Sequence, residues 1–369
     1  MKRVCCGLVG LLASTACAGD KREGGDDTAP SGISVTAADD PGGEGEEGGE
    51  VGGNEDDVRL DVGSGETEGV ECEEGQDCGG ECIAWEHQPC DMGTTDLFKA
   101  IGLNCPGEEN VTVSAAGSLQ SMGIRTRFGT TNEWDPREGS AYAVIGSGFV
   151  TDLDMETPNG DANIQPRHCN DEIGEFTPGA MLPDPLRVNN VGGDCTTDPN
   201  LIGTGDCSNT VQGQFSQGGS AFDYAEVRIE GQVPATNNSL SYDFAFFSTE
   251  YPFYYNSEYN DMYIGWLESE SWTGNISFDM TGEPISLNAG FLDFRDDGGN
   301  LPEFDGTCMR QHAGTKWLNT TAPVTPGEQI TLVLAIFDLS DPILDSYVFL
   351  DNFQWGCEGT DRPQTMPVG

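Results

Sequence analysis

The sequence is poor in basic residues. It contains 16 Lys and Arg against 63 Asp and Glu in 369 residues, which gives a formal net charge of −47. The excess is not confined to the N-terminal region, since residues 72–369 still hold 46 acids and 11 bases. A surface this negative repels phosphate backbones and anionic headgroups, which excludes nucleic acid as a partner and favours cations.

Histidine is nearly absent, and the common enzyme motifs are missing. His87, His168 and His312 are the only histidines, and none has the spacing of a metal-ligand pair. There is no G-x-S-x-G or H-E-x-x-H segment. We therefore predict no catalytic residues. One enzymatic alternative stays open, a secreted glycan hydrolase that uses carboxylates such as Glu250 and Glu268, because two carboxyl groups can hydrolyse a glycoside.

No apolar run is long enough to span a bilayer, including the one at the N-terminus. Residues 1–16 consist of a basic start, an apolar run and small residues, the pattern of a secretory signal peptide. The end of this leader resembles a bacterial lipobox with Cys17 as the lipidated residue, although Ser14 stands where Leu is usual. These features predict an exported lipoprotein, anchored by lipid at the outer membrane or cell surface. The protein is instead secreted if cleavage leaves Cys17 unlipidated.

Aromatic and branched apolar residues are scarce after this leader. Residues 18–71 hold 17 acids, three bases and repeated glycines. A segment of this composition cannot bury enough apolar surface to offset the entropy of ordering. The sequence therefore predicts a disordered acidic Gly-rich stalk over 17–71. The regions predicted beyond it are a Cys-rich clasp at 72–90, a β-sandwich domain at 91–357 and a C-terminal tail at 358–369.

The thirteen cysteines indicate disulfides in an oxidising compartment. An even number remains when Cys5 and Cys6 of the leader and the predicted lipidation site Cys17 are set aside. The spacing of the first four fits no zinc pattern with paired knuckles, and the pairing is left open. The predicted disulfide cysteines are Cys72, Cys78, Cys82, Cys90, Cys105, Cys169, Cys195, Cys207, Cys308 and Cys357.

Short alternating segments dominate the remainder of the chain. Thr94 or Thr95 can cap one short helix, and a weak strand follows at 111–113. Further strands are predicted at 143–150, 225–233, 242–246, 262–267, 273–278, 285–287, 291–294, 329–337 and 346–355. A long polar segment at 152–212, with three cysteines, interrupts these strands and is interpreted as a loop held in place by disulfides. The predicted fold is an all-β, jelly-roll-like antiparallel β-sandwich with one short N-terminal helix and long disulfide-stapled loops.

Two segments resemble the choice-of-anchor L domain family. The first is FFSTEYPFYYNSEYNDMYIGW, in which Ser248, Glu250, Tyr251, Asn260 and Asp261 match the family pattern, with Thr249 where a second acid is frequent. The second is DSYVFLDNFQW, matched by Asp345, Ser346, Leu350, Asp351 and Asn352. The resemblance covers about residues 92–357. It implies a bacterial surface domain, in versions from predatory soil bacteria, whose ligand the family does not define.

Acids around the last two long strands suggest a calcium site. Calcium takes six to eight oxygen ligands and tolerates irregular geometry. The predicted metal ligands are Asp338, Asp341, Asp345, Asp351 and Asn352. Glu250 with Asn260 and Asp261 is a second possible cation site. In the alternative, Asp338 and Asp341 cap turns through the backbone and Asp351 is solvated.

The loop after the Tyr242 strand is the predicted ligand-binding edge. Tyrosines can stack on a sugar ring and hydrogen-bond its hydroxyls. We expect alternation along the strands to push these acids and tyrosines outward, where a glycan or a cell-surface protein would meet them in adhesion. Self-association as a structural coat is a third alternative. The predicted ligand-binding residues are Glu250, Tyr251, Tyr254, Tyr255, Tyr259, Asn260 and Asp261.

Overall fold

The computed structural model describes residues 82–83, 86–107, 111–153, 177–188, 211, 220–257 and 259–368, together with the backbone of 35–36. The predicted signal peptide and the Cys17 anchor lie outside these residues, as does the stalk apart from 35–36. Most of the 152–212 segment lies outside them too, and so do the cysteines Cys72, Cys78, Cys169, Cys195 and Cys207.

The described chain forms two antiparallel sheets packed as a sandwich, which confirms the predicted fold class. The strands are β1 (Val35–Thr36), β2 (Val111–Ala116), β3 (Met122–Arg125), β4 (Tyr142–Gly146), β5 (Ala221–Gln232), β6 (Ser239–Ser248), β7 (Met262–Glu268), β8 (Thr273–Asn275), β9 (Ile285–Ser286), β10 (Phe294–Arg295), β11 (Ala313–Gly314), β12 (Leu318–Pro323), β13 (Gln329–Leu339), β14 (Ser346–Gly356) and β15 (Gln364–Pro367). One sheet has the order β1-β2-β5-β13-β7-β8, with β9 also on β7. The other has the order β10-β11-β6-β14-β4-β3, with β12 between β6 and β15.

Helical structure is limited to single 3-10 turns. The described residues contain turns at Lys99–Ile101, Leu119–Ser121, Val150–Leu153 and Pro302–Phe304. The predicted N-terminal helix is the first of these. Thr94 does accept a hydrogen bond from the Asp96 N–H, but the turn ends after three residues at Gly102, which has a left-handed φ of 93°. No helix among the described residues is long and apolar enough to cross a membrane.

The core between the sheets follows from the alternation along the strands. The inward side chains of β6 are the apolar ones that the sequence places on one face: Leu240, Tyr242, Phe244 and Phe246. They pack with residues of the opposite sheet such as Ile229, Leu332 and Leu334. Inter-sheet contact of this kind is what makes a sandwich stable.

Both outer faces of the sandwich are also covered. Phe128, Trp134 and Phe304, which lie in connections, pack on the outward side of β4, β6 and β14. Leu182, Leu186 and Val211, from the long segment before β5, pack on the outward side of β7 and β13. This explains why the longest strands are apolar at nearly every position rather than at every second one.

Two disulfides tie the region before the sandwich to the sandwich itself. Cys82 bonds to Cys357 after β14, and Cys90 bonds to Cys105. Cys308 is disulfide-bonded as well. The two clasp cysteines that are described therefore bond to the domain and not to each other.

Five short strands were not anticipated from the sequence: β1, which lies in the segment predicted to be a disordered stalk, β3, β11, β12 and β15. The last belongs to the segment delimited as the C-terminal tail. β12 is the sequence LNTTAP, whose Asn and Thr residues give no clear period, and it forms because it pairs with β6 along six residues. Whether such short strands form depends on pairing with a long neighbouring strand and not on the local sequence pattern.

Candidate functional site

Two connections meet at one end of the sandwich. Residues 249–261 link β6 to β7, and residues 340–345 link β13 to β14. Ser346 pairs with Ser248 in one sheet, while Phe337 pairs with Met262 in the other. Both connections therefore cross between the sheets at the same edge, which brings their side chains together.

Four carboxylates gather under these connections, and we call them the loop-edge acidic cluster: Glu250, Asp261, Asp338 and Asp345. Each is at most 4% exposed. The expectation that these acids point outward is therefore wrong. Both faces of β13 and β14 are covered by other side chains, so an acid on either face of these strands is enclosed.

Hydrogen bonds hold three members of the cluster in place. Glu250 Oε2 accepts from the Asp261 N–H at 3.3 Å. Asp261 accepts from the Leu339 N–H at 3.4 Å and from the Ser346 hydroxyl at 2.8 Å. Asp345 Oδ2 accepts from the Tyr347 hydroxyl at 3.4 Å.

Asp345 is seated by backbone contacts as well as by Tyr347. Its N–H and carbonyl both bond to Thr249, each at 3.0 Å. Its carboxylate lies against Gly148, where a Cβ would overlap it. Glycine at 148 thus allows the close backbone approach that a glycine within a strand pattern indicates.

Asp338 differs from the other three. Its side chain is 1% exposed, and neither carboxylate oxygen meets a hydrogen-bond donor. Burial raises its pKa well above the ordinary value, and the negative charges of Asp261 and Asp345 raise it further. The nearby Ser147 hydroxyl lowers the pKa only in part. A buried carboxylate without a donor is rare, because most buried polar groups are satisfied.

The same causes act on Glu250 and Asp261. Burial and then the Asp261 charge raise the pKa of Glu250 to about 10. Burial raises the pKa of Asp261 to about 8, although contacts with the Ser346 hydroxyl, the Asp338 carboxyl and the Leu339 N–H favour its charged form. All three shifts have the sign expected for carboxylates that lack a positive partner.

The five predicted metal ligands do not form one group. Asp338 and Asp345 lie in the loop-edge acidic cluster. Asp341 accepts from the Ile343 N–H in its own loop, as the turn-capping alternative expects. Asp351 lies six residues after Asp345, about 20 Å along an extended strand.

Asp351 and Asn352 belong to a second group, which we call the paired acid network. In it, Asp243 accepts from Arg137 Nε at 3.0 Å, from Asn319 at 2.7 Å and from Asn352 at 3.1 Å. Asp351 accepts from the backbone N–H groups of 137, 138 and 352. Asp351 is fully buried, so it is not the solvated residue of the alternative interpretation.

The tyrosines of the β6–β7 loop take different positions. Tyr251 is buried, and its hydroxyl donates to Asp297. Tyr255 is half-buried beneath the Arg295 guanidinium, 4.6 Å from its ring centroid. Tyr254 is 37% exposed and meets half-buried Tyr259 edge to face at 5.2 Å.

Phe253 is the most exposed ring of this loop, at 84%. Phe253 is not among the predicted ligand-binding residues. Three hydrogen bonds fix the backbone around it. Asn260 accepts from the Asn288 N–H, the Asn288 side chain accepts from the Asn256 N–H, and His312 Nδ1 lies 2.8 Å from the Tyr251 carbonyl.

The carboxylate pair offered for a hydrolase is too far apart. Glu250 is held at the residue before β7, and Glu268 ends that strand, which separates them by about 20 Å. Glycosidase carboxylates lie roughly 5–9.5 Å apart. Glu268 instead pairs with Arg187 and accepts from Trp266.

No group of three or more His, Cys, Asp or Glu side chains already surrounds one metal position within the part of the chain described above. The loop-edge acidic cluster supplies oxygen donors, but the carboxylates would have to turn toward one another to share an ion.

The comparison with family models matches residues 208–354 to the Choice-of-anchor L domain. The match begins at 208, later than the span of about 92–357 over which the sequence resembles the family. It includes the β6–β7 loop and all four members of the loop-edge acidic cluster. Comparisons with curated proteins and with solved structures find no match.

Proposed function

Because residues 208–354 form a Choice-of-anchor L domain, we propose that this protein is a cell-surface adhesion module whose β6–β7 loop binds a carbohydrate. The domain and the disulfides indicate an exported or surface protein. The lipid anchor at Cys17 and an outer-membrane position are part of the proposal.

The exposed aromatic surface of the β6–β7 loop carries this proposal. Phe253 and Tyr254 present ring surface to solvent on a backbone held by Asn260 and Asn288. A ring fixed in this way loses little conformational entropy on binding. Phenolic hydroxyls and the exposed Arg295 guanidinium add polar groups beside the rings, the combination that suits the apolar face and the hydroxyls of a sugar.

Calcium, predicted from the sequence, would act beneath this loop rather than on the ligand. Glu250 and Asp261 anchor the two ends of the loop, so a cation there would stiffen the exposed rings. The proposal includes no catalytic activity, and incubation with polysaccharides should release no reducing sugar.

A glycan array probed with the full-length protein tests the proposal. We expect a restricted set of glycans to bind, and Tyr254→Ala with Tyr255→Ala to weaken binding at least about tenfold, since stacked rings contribute on the order of 1 kcal/mol each. Met280→Ala is the matched control, because Met280 is an exposed apolar side chain (90%) in the connection between β8 and β9.

Three results would contradict carbohydrate recognition. One is equal glycan binding by the tyrosine variant and by wild type. Another is an array without any bound glycan while a purified surface protein binds through the same tyrosines. The third is concentration-dependent self-association lost in the tyrosine variant, which would instead favour the coat component.

A further inference from the structure

Three members of the loop-edge acidic cluster lack a positively charged partner among the described residues. Glu250, Asp261 and Asp338 form no ion pair with any Lys or Arg of the described residues. A buried carboxylate either finds a cation, binds a proton or destabilises the fold. The exported location makes the first solution available, because a protein outside the cell meets free divalent cations.

The hydrogen bonding of Asp338 is a second observation that indicates a missing ligand. It is 1% exposed, both its oxygens lack a donor, and the charges of Asp261 and Asp345 act on it from the facing side. A buried carboxylate in this protein can be stabilised by backbone N–H groups, as Asp351 is in the opposite sheet.

The chemistry of the donors selects the kind of cation. The cluster offers carboxylate oxygens, with the Ser147 and Ser346 hydroxyls beside them. It contains no imidazole or thiolate, the donors that zinc and copper prefer. Magnesium keeps several of its waters, for which a fully buried position leaves little space. Calcium accepts an all-oxygen set with irregular geometry.

We propose that Glu250, Asp261, Asp338 and Asp345 bind one calcium ion between the β6–β7 and β13–β14 connections. This set combines two members of each cation site that the sequence suggests, Asp338 and Asp345 from one and Glu250 and Asp261 from the other. It leaves out Asn260, Asp341, Asp351 and Asn352. On binding, the carboxylates of Glu250 and Asp338 turn toward the ion, and the ion locks both crossing connections to one edge of the sandwich. The site is independent of the carbohydrate proposal, because it requires no ligand on the loop.

Thermal unfolding with calcium alone as the probe tests the site. Full-length protein stripped with a chelator should unfold at a midpoint temperature at least about 5 °C lower than the same protein in millimolar CaCl2. A shift of this size is expected when the calcium concentration is well above the Kd. Titration calorimetry with CaCl2 should give one site per chain. MgCl2 at the same concentration should shift the midpoint much less.

Asp338→Asn removes one charge without changing the size of the side chain. We expect this variant to fold and to lose the calcium shift, with an unchanged or higher midpoint in chelator. Asp341→Asn is the matched control, because it makes the same change three residues away on a side chain that caps its own loop. It should keep the full calcium shift.

Terbium provides a readout that does not depend on a variant. Tyr347 donates to Asp345, so a lanthanide in the site should be sensitised by excitation of tyrosine and displaced by calcium. The proposal is wrong if calcium changes neither the midpoint nor the calorimetric heat. It is also wrong if Asp341→Asn abolishes the response while Asp338→Asn keeps it. A chelated protein that gains stability on acidification and ignores calcium would show that protons neutralise the cluster instead.

Discussion

Buried acids lie at the start and in the middle of β14, and the protein surrounds them differently. At its start, Asp345 lies in the loop-edge acidic cluster, where Asp338 has no donor. Six residues later, Asp351 lies in the paired acid network, where backbone N–H groups meet it and Arg137 pairs with Asp243. Burial is comparable, so burial alone does not explain the difference.

The difference lies in which residues the neighbouring segments supply. The segment before β4 brings Arg137 and two free backbone N–H groups to the paired acid network. The two crossing connections bring acids, hydroxyls and tyrosines to the loop-edge acidic cluster. Residues 72–369 contain 11 bases and 46 acids, so ion pairs can satisfy only a few of the buried acids. The acids left over mark the place where an external cation would be most stabilising.

The largest expected effect comes from removing the base of the paired acid network. Arg137→Ala should lower the free energy of unfolding by about 3 kcal/mol, because it leaves the buried Asp243 without its cation. Urea denaturation measures the loss. The control is Arg187→Ala, which breaks the more exposed pair with Glu268 and should cost less than about 1 kcal/mol. Equal losses would mean that the two pairs do not differ in the way their burial implies.

The same chemical change in the two regions should have opposite signs. In chelator, Asp243→Asn should lose about 2 kcal/mol, because Arg137 and two amide groups lose a charged acceptor. Asp338→Asn should gain about 1 kcal/mol, because the buried Asp338 carboxyl must otherwise hold either an unpaired charge or a proton above its ordinary pKa. Urea denaturation at pH 8 compares the two variants. A loss of similar size in both would remove the distinction drawn between the regions.

The smallest effect concerns an acid satisfied mainly by backbone groups. Burial would raise the pKa of Asp296, but N–H groups of Gln311, Asn300 and Leu301 together lower it below the ordinary value. The charged Asp296 therefore stabilises the fold at pH values above the unfolded-state pKa of about 3.9. This stabilisation is lost as the pH falls through the lower folded-state pKa.

Asp296→Asn should accordingly cost about 1 kcal/mol at pH 7, and this cost should shrink toward zero as the pH falls below about 4. Chemical denaturation of both proteins from pH 7 to pH 3 measures the difference. A cost that stays constant over this range would show that Asp296 acts only by its shape.

Much of the fold could be read from the pattern of apolar residues. The alternation in β5 and β6 and the apolar run of β13 are local properties, and the structure confirms these strands with shifts of a few residues at their ends. The sandwich was predicted correctly from this alternation, and the Choice-of-anchor L resemblance was predicted correctly from the two motifs around 248–261 and 345–352. Short strands such as β11 and β12 were missed, because two to six residues carry too little pattern.

The site could be predicted only in part. Asp338 and Asp345 were grouped correctly, but they were grouped with Asp351, because closeness in sequence was taken for closeness in space. An extended strand carries six residues over about 20 Å, so Asp351 reaches a different part of the sheet. Asp261 was assigned to the ligand-binding loop and to a second possible cation site with Glu250 and Asn260, and it was not grouped with Asp338, although it lies beside it.

The sequence by itself determined the acidic character, the export signature, the β-strands and their inward faces, since each depends on composition or on a period of two along the chain. The tertiary structure decided which acids share an enclosed space, because that depends on two connections from different strands meeting at one edge. It also decided that Asp351 is satisfied and Asp338 is not, because the donors come from a segment about 200 residues away in the chain.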